Sequence, residues 1–247
     1  MKSAWIVLPL LAALAACAPK SERAQNETTQ TASTVPATAQ VETPLNAPAG
    51  AYTMDPAHTS VLLRVARLSL SNYTARFKKT SAQLQFDPND LAASSVTVNV
   101  ETNSLETDYP NVAEHDFNAQ LTGEQWLNAA QYPQITFRST KVEVTGPHTM
   151  RIHGDLTMRG VTRPMTLDAR LNGGYDHHPF EKKARIGFSA RGTLKRSEYG
   201  LTFGVPAPGA TFGVTDEVEV VVETEFNGPP WVEAPADTTS KTASVTN

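Results

Sequence analysis

Apolar and polar residues alternate along the segment from Met150 to Leu171. The apolar positions are Ile152, Gly154, Leu156 and Met158 in the first half and Met165, Leu167, Ala169 and Leu171 in the second. A period of two is typical of a β-strand with one apolar face, and two such runs joined by a short turn predict a β-hairpin. We place its connection at residues 160–164, where Gly160 supplies backbone freedom and Pro164 begins the second strand at an edge.

The same alternation recurs along the chain and predicts at least eight strands. The further apolar sets are Val61, Leu63 and Val65; Leu84 and Phe86; Val96, Val98 and Val100; Ile135 and Phe137; Ala184, Ile186, Phe188, Ala190 and Leu194; and Val218, Val220 and Val222. One apolar face per strand favours an antiparallel sheet with a solvated outer side. Closing that sheet into a barrel removes exposed edges, and about eight strands enclose room for one small ligand. A two-sheet sandwich has the same pattern and stays open as an alternative.

A change of parity interrupts one extended run. Ile135 and Phe137 share one parity, whereas Val142 and Val144 have the opposite parity. Since a shift of one residue moves every following side chain to the other face, the pattern predicts a β-bulge near residues 138–141.

One segment, residues 111–132, departs from the period of two. Thr122 and Gln125 have the spacing of a capping box, with Thr122 as N-cap, and Trp126 follows at helical spacing before Pro133. We therefore predict a short helix that begins at Thr122 and covers one end of the barrel. Trp126 is expected to fill the core beneath it.

Residues 1–16 have the composition of a signal peptide, with Lys2 before an apolar run too short to span a bilayer. The run ends in Leu14–Cys17, which resembles the lipobox of bacterial lipoproteins, where the cysteine is acylated and becomes the mature N-terminus. Ala18 follows, which resembles the default signal for outer-membrane sorting. We predict a bacterial periplasmic protein that is anchored to a membrane through a lipid on Cys17. The outer membrane is preferred over the inner membrane. A plain signal peptide with a chance cysteine is the alternative.

The composition of the regions that flank the strands indicates that they form no packed structure. Residues 18–49 are rich in Ala, Thr, Gln, Pro, Ser and Glu and carry few large apolar side chains. We divide the chain into a signal peptide (1–16), a lipidated Cys17 with a disordered tether (17–50), a barrel domain (51–227) and a disordered tail (228–247). As a coil the tether would reach on the order of 30 Å.

Charge and motifs exclude several classes of function. The net charge is −4 and no basic patch is visible, so nucleic acid is not an expected partner. Cys17 is the only cysteine, so an intramolecular disulfide is excluded. None of the motifs G-x-S-x-G, C-x-x-C and H-E-x-x-H occurs, and we predict neither an enzyme nor a catalytic residue.

The remaining candidates for polar chemistry are two groups that contain histidine and a set of six arginines. We interpret Asp55–His58 as a turn, and His177 with His178 predicts no metal site because adjacent strand residues point to opposite faces. Of the arginines of the hairpins, one or two near the barrel mouth could bind a polar head group, and the others are expected on the solvated face. They are Arg151, Arg159, Arg163, Arg170, Arg191 and Arg196.

The string GDLTMRGVTRPMTL at residues 154–167 resembles the core signature of the YceI-like family, lipocalin-like periplasmic proteins that bind polyisoprenoids. Similar matches follow the family's order along the chain: YTMDPAHTSVLLRVARL (52–68), QWLNAAQYPQITFRSTKVE (125–143), GFSARGTLKRSEYGL (187–201) and VTDEVEVVVETEF (214–226). The chain departs from the family in residues 109–119, which lack the usual basic run, and at Arg67-Leu68, where a histidine is usual.

The resemblance implies an all-β fold, an extended antiparallel lipocalin-like barrel of about eight strands with a short helical excursion. It further implies an apolar tunnel for a long isoprenoid such as a quinone or a prenyl phosphate. Parity assigns the tunnel lining to residues of one face: Leu63, Val65, Phe86, Val98, Phe137, Leu156, Met158, Phe188 and Val220.

The expected function is that of a lipid-anchored binding protein that sequesters or carries this isoprenoid, with no cofactor besides the bound isoprenoid or quinone. Two alternatives stay open. One is a structural or interaction lipoprotein whose barrel is filled by its own side chains. The other is an accessory subunit of a quinone-linked membrane oxidoreductase, because some family members resemble partners of b561-type membrane cytochromes.

Overall fold

The structure, a computed structural model, describes residues 45–178, 180–207, 209–210 and 212–232. The predictions for the signal peptide, for Cys17, for the tether up to residue 44 and for the tail from residue 233 therefore lie outside the described residues. No helix in the described part of the chain is long and apolar enough to cross a bilayer.

The described residues form ten β-strands. They are β1 (Gly50–Arg67), β2 (Ser71–Phe77), β3 (Thr80–Phe86), β4 (Ser95–Glu101), β5 (Leu105–Glu106), β6 (Gln134–Gly146), β7 (Thr149–Met158), β8 (Val161–Tyr175), β9 (Lys183–Lys195) and β10 (Val214–Pro230). Eight of them close into an antiparallel barrel in the order β1-β3-β4-β6-β7-β8-β9-β10, because β10 pairs back onto β1 with Val61 opposite Val222. The prediction of a closed barrel is confirmed, and the two-sheet sandwich is excluded.

The length of β1 makes the barrel an extended one. The first residues of β1 pair with β3 and its last seven pair with β2. The strands β2 and β3 therefore occupy successive positions along one edge of β1. In the same way, β5 continues the line of β4 after a 3₁₀ turn at Thr102–Ser104. We call the end where β1 begins and β10 stops the N-terminal end. The opposite end, reached by residues 68–70, 107–133, 196–207, 209–210 and 212–213, is the helix end.

The N-terminal end is closed by packed side chains. Tyr52 and Leu171 are each 1% exposed and Ala184 is completely buried. The Tyr52 hydroxyl donates a hydrogen bond to the Pro48 carbonyl at 2.7 Å, and its ring lies so close to Gly228 that a Cβ there would stand 2.1 Å from it. A glycine at position 228 is therefore required for this closure.

The β7–β8 hairpin is confirmed, but its predicted connection over residues 160–164 is wrong. The turn consists only of Arg159 and Gly160, with φ values of 51° and 73°, which suit the right-handed twist of a two-residue hairpin. Pro164 lies inside β8 opposite Asp155. Because β9 pairs with β8 only from Asp168 onward, the missing proline N–H leaves no ladder hydrogen bond unmade.

The β-bulge predicted near residues 138–141 is confirmed. The register of β6 against β7 shifts between Ser139 and Lys141, which leaves Thr140 as the extra residue. Ile135 and Phe137 before the bulge and Val142 after it consequently all reach the interior.

The short helix is present, but the prediction that it begins at Thr122 is wrong. The helix α1 spans Phe117–Thr122, and Asp116 is its N-cap, with the carboxylate accepting from the Ala119 N–H at 2.9 Å. Thr122 is its last residue and donates its hydroxyl to the Asn118 carbonyl. Because Asp116 caps the helix six residues before Thr122 and Gly123 ends it, Trp126 lies in the turns that follow.

Candidate ligand-binding cavity

A cavity of about 310 Å³ lies inside the barrel. It extends from Met54 and Phe226, near the N-terminal end, to Val65 and Val214, near the helix end. Its size falls in the range of pockets that bind small molecules, about 300–1,000 Å³, and is about twice that of an engineered apolar cavity that binds benzene. The barrel is therefore lined rather than filled.

All nine residues predicted to line a tunnel lie on the wall of this cavity. They are Leu63, Val65, Phe86, Val98, Phe137, Leu156, Met158, Phe188 and Val220. The structure brings them together from seven strands because the apolar faces of the strands all turn to the barrel interior. That these side chains contact a ligand stays a prediction.

Further wall residues were missed in the sequence. Some follow from parity alone and could have been found that way, namely Met150, Ile152, Leu167 and Ala169. Others come from the short helix, the 3₁₀ turns and the loops, namely Leu91, Leu121, Leu127 and Leu201. Trp126, which was expected in the core, and Arg196, one of the candidate arginines near the mouth, also lie on the wall.

Aromatic rings define the floor of the cavity. Phe188 makes edge-to-face contacts with Phe86 and Phe226, with ring centroids 6.5 and 6.1 Å apart, and Tyr52 packs in the same manner against Phe86 at 5.8 Å. Edge-to-face pairs add attraction to the area that they bury. This cluster keeps the N-terminal end of the cavity closed.

Arg196 is the charged residue at the other end of the cavity and is only 5% exposed. It follows β9 at the start of a 3₁₀ turn (Arg196–Tyr199) and donates hydrogen bonds to four backbone carbonyls at 2.7–3.2 Å. These carbonyls belong to Leu201, Phe203, Val214 and Thr215. Burial lowers the pKa of Arg196, and the charge of Asp216 opposes that shift. The guanidinium therefore fastens the β9–β10 connection over the cavity.

An ionic cluster on the outside of the barrel surrounds Arg185, whose side chain is 11% exposed. Its guanidinium lies 3.2 Å from Asp55 and 2.8 Å from Glu181, and it also donates to Glu225. The prediction of a turn at Asp55 is wrong, because residues 55–58 lie inside β1, where the register against β10 shifts between Asp55 and Ser60 and Asp55 accepts from the Ala57 N–H at 2.9 Å. The neighbouring His58 nitrogen lies 3.0 Å from the same carboxylate. This hydrogen bond is the main cause that holds the pKa of Asp55 below its usual value.

Ligand atoms of Asp55, His58 and Glu225 lie within 4.8 Å of one another, which is a spacing suited to a metal ion. Arg185, however, already places a cation between the two carboxylates. The cluster is therefore interpreted as an ion-pair network. His177, the other candidate, stacks on Trp231 with ring centroids 4.3 Å apart and bonds Asp176.

Comparison with known proteins gives consistent matches over the barrel. A sequence model of the YceI-like domain matches residues 52–226. The chain is 37% identical over 169 residues to Protein YceI of Salmonella newport, a match that covers 68% of this chain and 81% of the relative.

Three solved structures have a similar fold. The crystal structure of Burkholderia cenocepacia BcnA is 24% identical and superposes with a TM-score of 0.59, covering 70% of this chain and 98% of that one. The Campylobacter jejuni YceI protein is 26% identical with a TM-score of 0.55, covering 64% and 86%. A polyisoprenoid-binding domain from Saccharophagus degradans is 14% identical with a TM-score of 0.51, covering 72% and 98%.

Proposed function

The chain belongs to the YceI-like family, and from this we propose that its barrel binds a long-chain isoprenoid, which it sequesters or carries. The observation that supports the proposal most is the cavity itself, about 310 Å³ with walls of aliphatic and aromatic side chains along its length. A repeated isoprene tail needs apolar contact area, worth about 25 cal/mol per Å² buried, and little directional bonding. The description of the Saccharophagus degradans domain as polyisoprenoid-binding agrees with this choice.

The wall also suits a ligand of variable shape. Met54, Met150, Met158 and Met165 all contribute to it, and methionine adapts its conformation to irregular contacts. A rigid filled core would leave no comparable void, which disfavours the structural lipoprotein with a filled barrel. The proposed ligand is of the quinone or prenyl phosphate type, and a b561-type membrane cytochrome is one partner to which a quinone could be delivered.

Enlarging side chains on the wall tests this function. We expect Val98→Phe and Val220→Phe each to weaken binding of a long-chain isoprenoid quinone at least about tenfold, because the added ring takes the place of the ligand. The stability of the ligand-free protein should change by less than about 1 kcal/mol, since the ring enters existing space. Fluorescence titration and urea denaturation measure the two effects.

A matched control comes from the residue that precedes Val98 in β4. Thr97 lies on the opposite parity and outside the cavity wall, so Thr97→Phe should leave binding unchanged. The proposal fails if the parent binds no isoprenoid at micromolar concentration and both valine variants lose about 1–3 kcal/mol, the cost of overpacking a filled core.

We also propose that the protein works in the periplasm, held to a membrane by acyl chains on Cys17. The support is the lipobox-like sequence at residues 14–17 after an apolar run of signal-peptide length. Several acyl chains on one residue give stable anchoring, in contrast to a single chain. The described domain begins 28 residues beyond Cys17, a length that would let it clear the lipid head groups.

Cys17→Ser tests the anchor. We expect the protein to move from the membrane pellet to the soluble fraction, because the acylation site is lost. A second variant, in which a cleavable signal peptide without the cysteine replaces residues 1–17, separates loss of acylation from failure to remove the leader. Membrane association that persists in both variants would rule out the anchor.

A further inference from the structure

The polar side chains on the cavity wall are, with one exception, either hydrogen-bonded or exposed. Tyr73 donates to the Thr107 carbonyl at 3.1 Å, Ser94 accepts from the Asp87 N–H, and the Thr224 hydroxyl bonds Thr59 at 2.8 Å. Arg196 is bonded to backbone carbonyls, as described above, and Ser95 is exposed to solvent.

The exception is the indole of Trp126. Its Nε1 atom is buried and has no hydrogen-bond partner among the described residues. Other buried polar atoms without a partner occur in the described part of the chain, but none of their residues lies on the cavity wall. Buried donors are nearly always paired in folded proteins, so a buried N–H without a partner calls for an acceptor.

The groups packed around Trp126 supply no acceptor. The guanidinium carbon of Arg196 lies 5.8 Å from the centre of the indole ring, and the Phe203 ring meets it edge-on at 5.4 Å. A guanidinium has donors only, and a phenyl ring has no lone pair. A cation beside the ring also draws electron density from the indole, which strengthens its N–H as a donor.

We propose that the Trp126 N–H is the hydrogen-bond donor for the head group of the bound isoprenoid, and that this head group is neutral and carries an oxygen acceptor such as a carbonyl or hydroxyl. The inference rests on the proposed function and adds to it the position of the head group, the helix end of the cavity. The tail then runs toward the aromatic floor formed by Phe86, Phe188 and Phe226.

The donor set favours a neutral head group over a phosphate. A phosphate has three strong acceptor oxygens and a charge that must be desolvated. Among the wall residues, Trp126 has the one buried side-chain N–H without a partner, and the guanidinium of Arg196 already donates to four carbonyls. A single carbonyl or hydroxyl oxygen matches one donor.

The test compares three ligands on the full mature protein and on its Trp126→Phe variant. The ligands are tetraprenyl menaquinone, which has carbonyl acceptors; geranylgeranyl diphosphate, which is charged; and squalene, which has no head group. We expect Trp126→Phe to weaken menaquinone binding about 5- to 10-fold and squalene binding by less than about 2-fold, because only the first loses a hydrogen bond.

A second measurement does not depend on how well the variant folds. In protein labelled with ¹⁵N-tryptophan, the Trp126 indole N–H resonance should move downfield when menaquinone binds and should not do so with squalene. Trp231→Phe is the matched control, since Trp231 stacks on His177 away from the cavity and its loss should leave all three affinities unchanged.

Each other outcome overturns a distinct claim. Equal losses for menaquinone and squalene, with no selective shift of the indole resonance, would make Trp126 a packing residue and refute the inference alone. A larger loss for geranylgeranyl diphosphate than for menaquinone would assign the site to a charged head group. Failure of the parent protein to bind any of the three would refute the proposed function and the inference with it.

Discussion

The Arg196→Met variant is expected to lose about 3–5 kcal/mol of unfolding free energy. Four backbone carbonyls accept from this one buried guanidinium, and methionine offers them no donor. The side chain fixes residues 201–203 of the β9–β10 connection to the start of β10 at Val214 and Thr215. Loss of the Arg196 side chain therefore removes buried hydrogen bonds and also frees the β9–β10 connection that covers the helix end.

Urea denaturation of the ligand-free protein measures this effect, and Arg191→Met serves as the control. Arg191 lies in β9, the strand that ends just before Arg196, but its side chain is 65% exposed and its ion pair with Glu219 spans 3.6 Å. Exposed pairs of this kind contribute about 0–1 kcal/mol. If the two variants lost similar amounts, the carbonyls around Arg196 would be satisfied without it and the prediction would be wrong.

The second large effect is expected at Arg185, whose replacement by methionine should cost about 2–4 kcal/mol at neutral pH. Asp55, Glu181 and Glu225 surround its guanidinium, and without it their negative charges face one another beside His58. The two glutamates are 35% and 39% exposed, so solvent screens part of the repulsion, and the value lies below that for a fully buried pair.

The pH dependence of stability distinguishes this cause from simple loss of packing. In the parent, the pKa of Asp55 lies below its ordinary value of 3.8, so its stabilising contribution is complete above that value and is lost as the pH falls through the folded-state pKa. In Arg185→Met, the carboxylates of Asp55, Glu181 and Glu225 repel one another without a guanidinium between them, and a fall in pH relieves that repulsion. The variant should therefore gain stability between pH 7 and pH 5, where the parent does not.

Urea denaturation at several pH values tests the second prediction. Arg64→Met is the control, because Arg64 is 44% exposed and pairs with one glutamate at 3.5 Å. Its stability should follow that of the parent across the range. An Arg185→Met variant with the same pH profile as the parent would mean that the carboxylates do not interact.

The repeated apolar alternation determined that each strand of this protein has one apolar face. Strands with one apolar face can bury that face only by closing the sheet or stacking it, and the parity of residues such as Val98 and Phe137 decides which side they occupy. That is why every predicted lining residue lies on the cavity wall. The parity change after Phe137 likewise located the bulge at Thr140.

The capping rules did not decide where the helix begins, because the sequence offers two residues that can serve as its N-cap. Both Asp116 and Thr122 can cap a helix, and the sequence offers no measure of which turn packs better against the barrel. In the fold, Asn118 of α1 bonds Thr107 after β5, which fixes the helix over residues 117–122 and leaves Thr122 at its end. Pro164 was similarly misplaced because only the pairing of β9 with β8, which begins at Asp168, shows that its missing N–H faces no paired strand.

Only the tertiary structure decided whether the barrel is lined or filled. Parity gives the side on which a residue lies, but the distance across the barrel depends on how many strands close it and how they are staggered. The polar groups of the helix end are also set by tertiary contacts, because Arg196 and Trp126 are 70 residues apart and meet through the connections that cover the barrel. The sequence thus determined an apolar interior, and closure of the barrel determined that this interior contains a cavity, one of whose wall residues, Trp126, has an unpaired indole N–H.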